Sequence, residues 1–248
     1  MYDFSDKIVV VTGAGKGIGK VIAQRFLKEG AKGLALLDFN NELLQATAKE
    51  LDPEGKTVLA LCCDVSKEDS VEAAFRAIHD RFGRVDVLIN NAGITRDAMF
   101  HKMTPAQMHQ VMDVNFFGTY NCIYQVTPGM RERDYGRIVN ISSTSSYGNV
   151  GQANYSASKA AVEGLTKTLA KELGRKHITV NCILPGLIDT EMMRAIPEDM
   201  LEQMTKRTPQ QRLGEPEEIA ALAVFLASDE ASYVSGACII CSGAAVIH

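Results

Sequence analysis

Short runs rich in Val, Ile, Leu and Cys recur along the chain at residues 7–12, 33–38, 57–64, 85–90, 136–142, 178–184 and 237–241. They do not alternate in polarity, which is the pattern of strands buried on both faces of a parallel sheet. Between them lie stretches with apolar residues at helical spacing, at 18–29, 42–51, 68–82, 104–131, 153–173 and 216–227. Helix starts are marked by Ser66 followed by Asp69, and by Thr104 with Pro105 in the first helical position. This alternation predicts an α/β fold, a single doubly wound Rossmann-type domain over 1–248 with a mostly parallel seven-stranded sheet flanked by helices. The alternation breaks only at 188–213, where Pro197 and Pro209 bound a helical insertion in the place expected of a lid over a ligand.

Composition narrows the classes. With 248 residues and 46% apolar content, the chain can bury a large core. A formal net charge of -4 leaves no basic excess to neutralise phosphates, which argues against nucleic acid as a partner. The acidic start Tyr2-Asp3-Phe4-Ser5-Asp6 does not read as a signal peptide, and no run approaches the roughly 20 apolar residues of a membrane span. A soluble cytoplasmic protein is expected. The cysteines at 62, 63, 122, 182, 238 and 241 fall mostly in apolar runs and read as buried thiols. Cys238 and Cys241 have C-x-x-C spacing, but without a second pair or a His cluster they read as strand residues, and no metal site is expected.

Candidate chemistry begins at Thr12-Gly13-Ala14-Gly15-Lys16-Gly17-Ile18-Gly19, where a strand ends and a helix opens. Glycines there permit a tight turn and let backbone N–H groups and the positive helix end approach a pyrophosphate. Asp38, at the end of the second strand, can accept hydrogen bonds from an adenosine ribose and repel a 2′-phosphate, which favours NAD(H) over NADP(H). Lys16 pulls the other way, as a cation able to pair with that phosphate. A competing reading makes Asp38 a helix cap. In Tyr155-Ser156-Ala157-Ser158-Lys159, residues four apart on a helix put a phenol and an ammonium on one face. A neighbouring cation favours phenolate, so Tyr155 could exchange a proton while hydride moves. Read alone, the pair could equally be a surface Tyr and Lys.

Together these motifs resemble the short-chain dehydrogenase/reductase family over nearly the whole length. Residues 12–19 are similar to its TGxxxGIG, Asn90-Asn91-Ala92-Gly93 to its NNAG, Tyr155 to Lys159 to its YxxxK, and Pro185-Gly186 to its PG motif. The resemblance implies a cofactor site made by Gly13, Lys16, Gly17, Ile18, Gly19 and Asp38, with Asp64 and Val65 at the adenine. Asn91, Ala92, Gly93, Pro185 and Gly186 would line the cofactor, and Ile188 and Thr190 would reach the nicotinamide. Tyr155 would be acid/base, and Lys159 would bind the nicotinamide ribose. Asn115 would hold a water relaying protons to Lys159. For Asn91 and Asn115, simple satisfaction of buried backbone groups stays open. The serine that meets the substrate oxygen would be Ser143 rather than Ser142. The two face opposite ways on a strand, and motif register favours Ser143 although its spacing to Tyr155 is one short of the commonest.

Within the family, the segments 148–155, 164–167 and 91–97 are most similar to 3-oxoacyl-carrier-protein reductases, with Gln152 joining Ser143 and Tyr155 at the substrate. Asp38 and the tail Ser242-Gly243-Ala244-Ala245 depart from that subgroup. The expected activity is therefore interconversion of a ketone and a secondary alcohol, on an acyl thioester or another small molecule. An NAD-dependent dehydrogenase of a steroid, polyol or other alcohol is the alternative, and a non-catalytic NAD(H)-binding scaffold a remote one. Arg131, Arg133, Arg137, Arg175 and Lys176 form a candidate carrier-docking cluster interrupted by Glu132 and Asp134, or else solvated helix ends. Met99, Phe100, Tyr147, Met192, Met193, Ile196 and Met200 suggest an apolar pocket. The family implies a homotetramer through helices 104–131 and 153–173, where Ala157, Ala160, Ala161 and Gly164 permit close packing or serve the core.

Overall fold

The computed structural model describes residues 2–194 and 196–247, and of Met192 the backbone only, so Met192 as a pocket side chain lies outside the described residues. The strands are β1 (Ile8–Thr12), β2 (Gly33–Asp38), β3 (Val58–Cys62), β4 (Val87–Asn90), β5 (Gly136–Ile141), β6 (Ile178–Pro185) and β7 (Cys238–Cys241). They form one seven-stranded sheet in the order β3-β2-β1-β4-β5-β6-β7. Every neighbouring pair is parallel. The helices are α1 (Gly17–Lys28), α2 (Asn41–Leu51), α3 (Glu68–Phe82), α4 (Pro105–Met112), α5 (Gly118–Arg133), α6 (Ala153–Leu173), α7 (Glu191–Arg194), α8 (Glu198–Arg207) and α9 (Pro216–Ala227).

Strand alternation divides the core into two faces. On β1, Val9 and Val11 pack with Ile22 and Phe26 of α1 and Val224 of α9. Val10 points the other way, into Val71 and Ile78 of α3 and Ile123 and Val126 of α5. All three valines are fully buried, each contributing roughly 1.5–3 kcal/mol by leaving water. The chain order reverses between β1 and β4, and such a switch point opens a crevice at the carboxyl ends of the strands. Gly13, Asp38, Asn91, Ser143 and Gly186 all stand at or just past those ends.

Three expectations change. The helix expected over 104–131 is interrupted: α4 ends at Met112, residues Asp113–Phe117 form one π-helical turn, and α5 follows. A π turn inserts one residue without disturbing the apolar spacing, so periodicity could not reveal it. The helix start at Thr104, with Pro105 in its first turn, is as expected and also carries a capping box with Gln107. At α3, by contrast, Lys67 occupies the cap position without a side-chain bond. Ser66 instead donates to Asp64 at 2.7 Å, because that acid lies closer than the helix end. Finally, Cys62 is exposed, since β3 is an edge strand, while Cys63, Cys122 and Cys182 are buried.

Candidate active site

The glycine-rich turn is fixed by backbone geometry. Gly13 adopts φ 64°, and a Cβ on Gly19 would stand 2.1 Å from the Gly13 carbonyl oxygen, so α1 can start there only on a glycine. Asn91 ties this turn to β4. Its Nδ2 donates to the carbonyls of Thr12 and Gly13 at 3.1 and 3.0 Å, while the N–H groups of Asn91 and Ala92 both reach the Thr12 hydroxyl at 3.0 Å. The Asn91 side chain thus holds the walls of the crevice together, in line with the backbone-satisfying reading.

Asp38 anchors the far side. One carboxylate oxygen accepts the Gly15 N–H at 2.9 Å and the other the Asn40 N–H at 2.9 Å. It does not cap α2, whose N-cap is Asn40. Lys16 reaches across to Glu191 on α7, at 2.7 Å, with both side chains more than half exposed. Asp64 accepts from Ser66, and Val65 is buried against Gly118, its carbonyl taken by Asn121 at 3.0 Å. Ile18 packs against the core, and Ile188 is buried, bridged to Gly214 at the lid's base. Pro185 accepts from the Thr144 hydroxyl, and Gly186 donates to Cys241 while pressed against Ser242. Thr190 lies over Gly17, 3.9 Å from where a Cβ on that glycine would stand, with nothing nearer. The turn at Gly13 and Gly19, where a Cβ would clash, at the start of α1 and beside the Asp38 carboxylate, fits the pyrophosphate and ribose of a dinucleotide.

The chemical groups converge after β5. The Ser143 hydroxyl, beside the Tyr155 phenol, favours its ionised form. Burial outweighs it and, with the Asp97 charge, holds Tyr155 above its ordinary range. The expectation that Lys159 draws the phenol toward neutrality is not met in the free chain. The Lys159 Nζ donates to the Ile141 carbonyl at 2.7 Å and stands 5.6 Å from the Tyr155 ring centre, so the ammonium faces the ring rather than the hydroxyl. Burial lowers Lys159 itself to about 8. A Cβ on Gly93 would meet Lys159 Nζ at 3.3 Å and Asn115 Oδ1 at 3.4 Å, so all three border one small space. Ser142 points away, its hydroxyl 3.0 Å from the Lys159 carbonyl and 3.2 Å from Glu163.

Among the supporting residues, the sequence points to Asn115 and Gln152 but not to Asp97, Asn154 or Ser158. Asn115, turned inward by the π-helical turn, accepts the Ile94 N–H at 2.8 Å and donates to the Ile94 carbonyl and the Ser158 hydroxyl. Its side chain is therefore fully occupied in joining the NNAG loop to α6. Asn154 accepts the Tyr155 N–H and donates to the Arg96 carbonyl. Gln152 donates to Asp97 at 2.9 Å and accepts from Asn149. Such bonds to backbones of remote loops leave no mark in spacing.

Around the mouth, Met99, Phe100, Tyr147 and Met200 are exposed and Met193 and Ile196 half-buried, while α8 buries no side chain. These residues rim an open mouth rather than an enclosed pocket. A cleft of about 610 Å³ lies elsewhere, at the lid's base between Leu187, Ile188, Arg212, Glu218, Cys241 and Val246. Three members of the basic cluster are engaged within the chain, while Arg131 and Arg175 are exposed. Arg137 is buried and bonded to the Gly136 and His177 carbonyls and to Asp229; Arg133 donates to the Val85 carbonyl; Lys176 pairs with Asp134. These groups also sit at the start of β5, roughly 20 Å along the strand from Ser143. No described helix is long and apolar enough to cross a membrane.

A parallel sheet with a glycine-lined crevice at its switch point, beside a half-buried Ser and Tyr and a buried Lys, defines a dinucleotide-dependent oxidoreductase of secondary alcohols and ketones. The family model described as enoyl-(acyl carrier protein) reductase matches residues 13–243. The acetoacetyl-CoA reductase of Shinella zoogloeoides is 45% identical over 239 residues, 96% of this chain and 97% of the relative. The 3-oxoacyl-[acyl-carrier-protein] reductase of Thermotoga maritima is 43% identical over 242 residues, 97% of this chain and 98% of the relative. The crystal structure of levodione reductase superposes with a TM-score of 0.92 at 38% identity, covering 97% of both chains. The chain belongs to the short-chain dehydrogenase/reductase family.

Proposed function

We propose that the enzyme reduces the 3-keto group of a small acyl-CoA thioester to a secondary alcohol, using NADH. The observation that carries this reading is the Ser143–Tyr155 pair beside Lys159, with Ser142 turned away. The reduced nicotinamide, when bound, supplies the hydride. Ser143 orients the substrate oxygen, and Tyr155, with its phenol held protonated by burial, donates the proton to it. The Lys159 ammonium, largely charged at neutral pH, stabilises the phenolate left behind and holds the nicotinamide ribose. Asn115 positions the NNAG loop and α6, the place from which a relay water would reach Lys159, while Gln152, held by Asp97, faces the acyl chain. Gly13, Gly17, Ile18 and Gly19 cradle the pyrophosphate, Asp64 and Val65 the adenine, and Ala92, Gly93, Pro185, Gly186, Ile188 and Thr190 the nicotinamide side.

NADH is favoured over NADPH because Asp38 is pinned at the ribose end by two backbone N–H groups, where its charge opposes a 2′-phosphate. The countervailing Lys16 is already paired with Glu191. A coenzyme A ester is favoured over a carrier-protein ester because Arg133, Arg137 and Lys176, three of the five basic residues that could receive an acidic carrier, are paired internally at the far end of β5. The substrate reading leans on the 45% identical acetoacetyl-CoA reductase. A cytoplasmic homotetramer completes the proposal. Phe117, Tyr120 and Tyr124 form an exposed aromatic face on α5, and Ala157, Ala160 and Gly164 on α6 are exposed rather than used in the core, so a second copy could cover both helices.

Initial rates with acetoacetyl-CoA and NADH or NADPH test the reading. The expected result is thioester turnover with kcat/KM at least tenfold higher for NADH. A preference for NADPH would remove Asp38 as the guide to the cofactor. Failure on the thioester with NAD-linked oxidation of a steroid or polyol would replace the substrate by the alternative alcohol.

A further inference from the structure

Strand β7 is an outer edge of the sheet, and it pairs with β6 so that Cys238 lies directly across from Cys182. Residues in register on neighbouring parallel strands point to the same face, and both cysteines pack in one apolar cluster with Val162 of α6 and Leu184. Cys241, three residues on, points to the opposite face and is out of reach. Adjacent strands stand roughly 4.8 Å apart, inside the ~4.4–6.8 Å Cα separation of disulfides. Cys238 packs against the cluster that holds Cys182, whose thiol donates only weakly, to the neighbouring Ile183 carbonyl at 3.8 Å. They differ in setting: Cys182 is fully buried, Cys238 partly open. The Cys182 thiol beside it, with help from the Lys167 ammonium, draws Cys238 toward thiolate against burial and the Glu163 charge.

We propose that Cys182 and Cys238 are an oxidisable dithiol that a hydroperoxide converts to a disulfide. The Cys238 thiolate attacks one oxygen of the peroxide, the O–O bond breaks, an S–O bond forms, and the departing alkoxide or hydroxide takes up the Cys238 proton. The Cys182 sulfur then attacks the sulfenic sulfur, and its proton leaves with the hydroxyl as water while the S–S bond forms. Two electrons pass from the pair to the peroxide, so the thiols are oxidised and the peroxide reduced. The edge position matters because β7 has a neighbour on one side only and can shift by the small distance the bond requires. Among the described residues, no other pair of cysteines stands in register on neighbouring strands. Exposed Cys62 is followed by Cys63, which points to the other face with its thiol pushed up to about 11 by burial, and Cys122 is enclosed in the core.

The test treats the folded enzyme with about one equivalent of hydrogen peroxide at neutral pH, alkylates the remaining thiols, and maps peptides by mass. The expected product links the peptides carrying Cys182 and Cys238, two hydrogens lighter than their sum, and is reversed by dithiothreitol. Cys238→Ser abolishes the link, whereas Cys62→Ser leaves it intact. In Cys182→Ser, alkylation of Cys238 by iodoacetamide slows at least threefold, and should that buried variant fail to fold, the Cys238→Ser comparison decides alone. Peptides that stay unlinked while Cys62 oxidises, or a link that forms only in denaturant, overturn the proposal.

Discussion

At the cofactor end of the crevice, the glycine turn, Asn91 and Asp38 are bound to one another through backbone groups: Asn91 holds two carbonyls of the turn and Asp38 takes the N–H of Gly15. Across the same crevice, the lid of α7 and α8 meets the turn through Lys16–Glu191 and braces itself with Asp189–Arg194 and Arg212–Glu218. Part-buried backbone bonds close over a shape that admits few substitutions, whereas exposed ion pairs are each worth about 0–1 kcal/mol and weaken with salt. One wall is a fixed mould and the other an adjustable one. That difference suits a cofactor that never changes and an acyl substrate that must enter and leave. It also explains why the cofactor residues are legible as motifs and the substrate residues are not.

Changes on the fixed side should therefore cost much more than changes on the lid. Ser143→Ala removes a donor aimed at the reacting oxygen and should lower kcat roughly 100-fold in steady-state assays, while cofactor affinity holds. Its neighbour Ser142→Ala should leave kcat within about threefold and instead lower thermal stability by about 1–2 kcal/mol, as a buried contact to Glu163 and the Lys159 carbonyl is lost. Equal effects of the two would erase the distinction between their faces. Gly19→Ala places a methyl against the Gly13 carbonyl and should weaken NADH binding roughly 10- to 100-fold in a fluorescence titration.

The pH dependence is intermediate in size. Lys159 is an ammonium below about 8 and loses its proton above it. Ketone reduction, which needs the ammonium and a protonated phenol, should be level at neutral pH and fall as pH rises through about 8. Asp97→Asn removes a charge that raises the Tyr155 phenol, so alcohol oxidation, which needs the phenolate, should set in at lower pH than in the wild type. An unmoved profile would take Asp97 out of the electrostatics of the site. The smallest effect belongs to the lid: a double-mutant cycle on Lys16→Ala and Glu191→Ala should give a coupling of about 0–1 kcal/mol in NADH affinity, vanishing at high salt. A larger, salt-resistant coupling would make the lid part of the mould.

The strands were readable because burial on both faces writes continuous Val, Ile and Leu runs, and α3, α6 and α9 begin and end where the periodicity places them. Strand alternation allows only one of Ser142 and Ser143 to face Tyr155, and it is the motif register of the family resemblance that points to Ser143. The π-helical turn at Asp113–Phe117 left no trace, since its apolar residues keep helical spacing. Asp97, Asn154 and Ser158 were invisible for a different reason, as each acts by bonding a group that is distant in sequence or on the backbone. Arg137 misled in the reverse direction: a charge in a basic run reads as surface, yet it is buried and bonded to two carbonyls and Asp229.

The central claim is that Tyr155 supplies the proton while contributing little to holding the cofactor. Tyr155→Phe should be assayed by single-turnover reduction of acetoacetyl-CoA alongside an NADH binding titration. The predicted result is a rate at least about 1,000-fold below wild type with the NADH Kd changed less than about twofold. A variant that keeps more than about a tenth of the wild-type rate, or that loses NADH binding in proportion to its activity, would contradict it.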